Sequence, residues 1–188
     1  MKTMSLSSQD VDMFYKLLHP LHYFANQQLQ VIKGVTSLHQ FEELTMENRF
    51  LVREALLKHL NLISTFVKKN PFGLASNELD IVQCWTRGVK DSFMVMEYTK
   101  EHTIFTSNSD TTKVYGVMSL HSRFSSMFGS RLPVLVETML LPFRNHIVYD
   151  GIIKKGDFEK SARGELYRKL MLSTYTMLRD SNRVIQSF

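Results

Sequence analysis

One cysteine, Cys84, is all that the chain contains, which excludes an intrachain disulfide and any zinc site built on several thiolates. Long apolar runs are missing as well: Glu137 interrupts the stretch after Val134-Leu135-Val136, and Pro142 the one after Met139-Leu140-Leu141. Neither approaches the ~20 residues of a membrane-spanning helix. There is no HExxH, no Gly-x-x-x-x-Gly-Lys phosphate loop, no dinucleotide glycine fingerprint and no nucleophile elbow. The first ten residues lack the apolar centre of a secretory signal and end on Asp10. These absences together predict a cytoplasmic protein in a reducing compartment, with no membrane association.

What is present is enough to fold. Hydrophobic residues make up 44% and charged residues 22%, outside the range of disordered chains. A length of 188 residues buries a core without help from disulfides or metal. The formal charge of +5 is uneven, because residues 154–183 hold eight basic against four acidic side chains and so carry +4 of it. A solvated basic helix is the ordinary reading of such a segment, and a phosphate-binding face is the functional one.

Apolar spacing predicts a helix over 8–33, with Val11, Phe14, Leu18, Leu21, Ala25, Leu29 and Ile32 on one face and Pro20 either kinking or dividing it. A second helix is predicted from Thr45 to about Lys69, stopped by Asn70-Pro71, and a third begins at Ser76. After Gly88 the texture changes to β-branched and aromatic runs. Strands are predicted at 93–99, 103–106, 114–118 and 133–143, and a tight turn that rests on Asn145 leads to a return strand at 147–149. Pro142 places one arm of that hairpin at an edge or a bulge. The final helix, 159–183, is predicted to turn Leu166, Leu170, Thr174 and Met177 inward.

The fold class that follows is α+β: N-terminal helices packed on a small antiparallel β-sheet or barrel, with a C-terminal helix. The expected organisation is a single compact domain over 1–188, with a helical half at 1–88 and a β-rich half at 89–188 that ends in the basic helix.

Several linked segments carry a resemblance. They are Asn70-Pro71, Leu79-Asp80-Ile81-Val82 with Trp85, Tyr98-Thr99-Lys100, Tyr115-Gly116-Val117, Leu132-Pro133-Val134, Leu140-Leu141-Pro142-Phe143 and Ile147-Val148-Tyr149-Asp150-Gly151. In order and spacing this stretch resembles a family of uncharacterised bacterial proteins. The resemblance implies the fold and a bacterial or phage-like source, and it brings no activity with it.

Few groups combine into chemistry. His19 and His22 stand three apart on a helix, the spacing of a metal pair, but no third ligand accompanies them and no metal or other cofactor is expected. Cys84, beside Trp85, reads as a buried thiol rather than a nucleophile. Asp150-Gly151 is first of all turn chemistry. Taken functionally, it directs attention to Asp150 with Lys154, Lys155 and Arg163, while a nucleic-acid surface would add Tyr167 and Arg168 on the basic helix as stacking and phosphate partners. Tyr167 also follows the helical spacing of Met171 and Leu178 and so reads equally as core. With no catalytic signature, the leading expectation is a non-enzymatic interaction or regulatory protein with a protein partner or a second copy of itself. The alternatives are RNA or DNA binding through residues 154–183, and an enzyme whose site is assembled from distant residues.

Overall fold

The computed structural model describes residues 5–156, 162–180 and 184–185. The class is α+β. The chain divides into two compact units, one spanning Ser8–Thr86 and the other made of the residues up to Ser7 together with those from Arg87 onward.

The first unit is helical: α1 (Ser8–Leu29), α2 (Leu38–Glu42), α3 (Met46–Leu57), α4 (Asn61–Lys69) and α5 (Ser76–Cys84), followed by a 3-10 turn at Trp85–Arg87. α1 runs through Pro20 as one element. Its apolar face meets rings from the other helices, with Phe14 5.6 Å from Trp85 and Phe24 5.5 Å from Phe66. The single helix expected over Thr45–Lys69 is in fact two. The N–H groups of Lys58 and His59 close on Ala55 and Leu56, three residues back, and His59 Nδ1 also lies 2.9 Å from the Ala55 carbonyl. The ladder tightens there and the chain leaves the helix before Asn61. α4 ends on Asn70, which takes a left-handed conformation and exchanges two side-chain hydrogen bonds with the Leu74 backbone.

The second unit is built on β1 (Val89–Tyr98), β2 (Thr103–Ser107), β3 (Val114–Met118), β4 (Val134–Phe143), β5 (His146–Lys155) and β6 (Val184–Ile185). β1 is long enough to pair with both β2 and β4, β4 pairs with β5, β5 returns to β3, and β3 closes the circle on β2. All the pairings within this circle are antiparallel except β3 with β5. A short helix, α6 (Phe124–Phe128), connects β3 to β4. The circular order β1-β2-β3-β5-β4 is that of an OB-type Greek-key barrel. Alternation along the strands turns Phe93, Val95, Phe105, Tyr115, Val117 and Val136 inward. Phe105 lies 6.0 Å from Phe93 and 5.1 Å from Phe124 of α6, which in turn lies 5.4 Å from Tyr149.

The far edge of β3 is covered by three separate segments. β6 pairs in parallel with Val114–Tyr115, β5 pairs with Val117–Met118, and the Leu6 N–H donates to the Ser119 carbonyl at 2.9 Å.

Two local readings need correction. The left-handed residue of the β4–β5 turn is Arg144, with φ 53°, and not Asn145. The return strand is also ten residues long rather than three. It passes through Asp150-Gly151 because Gly151, at φ 85°, absorbs an irregularity in register opposite Thr138–Leu140. Pro142 pairs with Ile147 beyond the end of the β1–β4 ladder, where β4 has a neighbour on one side only.

Candidate interaction surface

The last described helix, α7 (Ala162–Asp180), lies on the outer face of the barrel. Tyr167, Met171 and Tyr175 recur at i, i+4 and i+8 and pack on Met94 and Met96 of β1, Ile104 of β2, Val114 of β3 and Leu135 of β4. Two polar contacts fix the helix along this seat. The Tyr175 hydroxyl donates to Glu97 Oε2 at 2.7 Å, and burial together with that carboxylate holds its pKa well above the ordinary tyrosine value. Arg168 Nη2 donates to the Leu132 carbonyl at 3.2 Å.

This reverses the face expected from the sequence. Leu166, Leu170 and Met177 point to solvent and are 70%, 59% and 75% exposed. They sit one or two residues out of phase with the buried set, each residue turning the helix by ~100°. The tyrosines take the barrel side because their rings fill more of the seat and Tyr175 finds a partner for its hydroxyl there. α7 is thus apolar on two faces, one engaged with the barrel and one open.

Among the residues singled out from the sequence, Asp150 is buried within β5, where Oδ1 accepts the Ile152 N–H at 3.1 Å. Lys154 and Lys155 are exposed at the end of the same strand, and Lys154 stands opposite Glu137 in the register. Tyr167 and Arg168 belong to the barrel side of α7. Arg163 stands in the first turn of α7, and its side chain lies outside the described residues, as do residues 157–161. The five of them whose side chains are described do not form one constellation: Asp150 is interior, the two lysines are exposed, and Tyr167 and Arg168 hold the helix down. In OB-type barrels the ligand face runs across strands 2 and 3. Here Ile104 and Val114 of that face lie beneath α7.

A second polar cluster is in the helical unit. His22 is 4% exposed, and its pKa is held down at about 3, first by burial and then by the charges of His19, Arg53 and Arg49. Arg53 is 2% exposed, with Nε 3.2 Å from Glu54 Oε1 and its guanidinium 4.9 Å from the Phe50 ring. His19 Nδ1 lies 3.3 Å from Glu42 Oε1. The sequence held the signal for this cluster in two spacings, His19 with His22 at i, i+3 and Arg49 with Arg53 at i, i+4. No group of three or more His, Cys, Asp or Glu side chains suited to a metal ion occurs among the described residues. Cys84 is half-buried.

No family model, no curated protein and no solved structure matches this chain. No helix among the described residues is long and apolar enough to cross a membrane.

Proposed function

We propose that the chain is a non-enzymatic protein-binding module whose contact surface is the outer face of α7. The observation that carries this reading is the open stripe of Leu166, Leu170 and Met177, anchors at helical spacing of the kind that dock into an apolar groove. Covering a fully exposed side chain of this size contributes about 2 kcal/mol, so three of them supply the centre of an interface. Charge argues for the partner's chemistry. Lys169 and Arg179 are exposed on the same helix against one exposed acid among its described side chains, Glu165, and Lys155 is exposed at the end of β5. The surroundings are net basic, so a groove with an acidic rim is complementary.

The test uses the full chain and a triple variant, L166S/L170S/M177S, immobilised side by side in extract of its own host. The expected result is one protein retained by the wild type and lost by the variant, which rebinds when purified and weakens as salt rises. The same proteins on both columns would overturn the reading. So would a wild-type dimer in sedimentation that the triple variant dissolves, which would make the occupant a second copy. Nucleic acid retained equally by both and released by salt would move the function to the basic residues.

A further inference from the structure

The helical unit contains a polar seam that the proposed interaction surface does not use. α1 presents His19 and His22 on one face, α3 presents Arg49 and Arg53 on one face, and Glu42 closes the seam from α2. Burying such groups between helices costs several kcal/mol unless each charge is matched. The two acids in the seam are already engaged, Glu42 with His19 at 3.3 Å and Glu54 with Arg53 at 3.2 Å. Arg49 is different: its Nε is buried and meets no hydrogen-bond acceptor among the described residues. Buried donors are nearly always satisfied, and one that is not calls for a physical reason.

A guanidinium offers a planar fork of donors that matches the two oxygens of a carboxylate or phosphate. Imidazoles beside it add donors of the same kind, and a ring that is neutral when the site is empty can take up a proton as an anion enters. Both histidines of the seam stand within electrostatic reach of Arg49. We infer that the α1–α3 seam is a binding site for a small oxyanion, a phosphate or carboxylate group, held by the Arg49 guanidinium with His19 and His22 beside it.

The test is a titration of the full-length protein with inorganic phosphate and, separately, with acetate, at constant ionic strength in chloride. Long-range nitrogen–proton spectra follow the histidine rings. Saturable shifts of the His19 and His22 signals are expected, and R49Q should weaken binding at least tenfold. R49K, which keeps the charge and loses the fork, should fall between the two. Tighter binding of phosphate assigns the site to a phosphate group, and tighter binding of acetate to a carboxylate. Trp85, the only tryptophan, lies in this unit and reports by its fluorescence that each variant is folded. The inference is overturned if neither anion gives a saturable shift, or if folded R49Q binds as the wild type does.

Discussion

The two units solve the problem of buried polar groups in opposite ways. In the barrel, several short polar side chains bond to backbone or hydroxyl partners close at hand, while the buried hydroxyls of Thr103 and Thr106 meet no hydrogen-bond partner among the described residues. The Thr138 hydroxyl donates to the Ile152 carbonyl at 2.7 Å, and Asp91 accepts the Ser92 N–H and the N–H and hydroxyl of Ser109, as well as the Ser107 hydroxyl. Burial alone would raise the Asp91 pKa, but these hydrogen bonds outweigh it and hold the carboxylate below its ordinary value. In the helical unit the backbone is spent on its own ladders, and long charged side chains answer one another between helices, as His19 does Glu42 and Lys16 does Glu78, or within one helix, as Arg53 does Glu54. The barrel should therefore be sensitive to lost packing and the helical unit to protons.

The largest expected effect tests the first half of that contrast. Phe105 is fully buried among Phe93 and Phe124. F105A should cost about 3–5 kcal/mol in urea denaturation, and a loss under 1 kcal/mol would mean that this ring cluster is not the centre of the unit. Next comes a pair of substitutions on α7. M171A, on the barrel face, should cost about 2–4 kcal/mol, while L170A, on the open face, should change stability by less than about 0.5 kcal/mol. Equal costs at the two positions would show that both faces of the helix are covered.

The third test is graded with pH and addresses the second half. The His22 pKa is about 3 in the folded protein against 6.5 for an ordinary histidine. Between those values the unfolded chain binds a proton that the folded chain refuses, so the contribution to stability is full above pH 6.5 and falls as the pH drops towards 3. The slope is about 1 kcal/mol per pH unit in the middle of that window. Urea midpoints read from Trp85 fluorescence at pH 7 and pH 5 measure it. H22Q should flatten the slope, apart from a smaller part of the same sign from His19, whose pKa burial also lowers. An unchanged slope in H22Q would place the sensitivity elsewhere.

Much of the fold was legible because local signals and tertiary packing agree. β3 lies where its run of β-branched and aromatic residues put it, at Val114–Met118, and Thr45 opens its helix by accepting from the Asn48 N–H. The break at residues 58–60 was not legible, since Leu56, Leu60 and Ile63 keep helical spacing across it and neither Gly nor Pro marks it. Residues Ala162–Asp180 were rightly read as helical but assigned the wrong inner face. Leucines at 166 and 170 and tyrosines at 167 and 175 are both apolar stripes, and only the shape of the seat and the position of Glu97 decide between them. Asp150-Gly151 was read as a turn because the sequence cannot distinguish a strand's end from a bulge within it. The polar seam of the helical unit was half visible, because His19 and His22 drew attention as a metal pair while Arg49 and Arg53 come from a helix distant in sequence.

The threefold covering of β3 bears on how this chain avoids aggregation. A strand edge left bare is a template on which another molecule can add its own strand, and repeated addition gives fibres. On β3 that template is closed by Val184–Ile185 over Val114–Tyr115 and by β5 over Val117–Met118, with Ser5–Leu6 continuing the cover just past the strand at Ser119. Trimming either terminal segment would remove few contacts from the core, yet it would leave an aggregation-prone edge on an otherwise closed barrel.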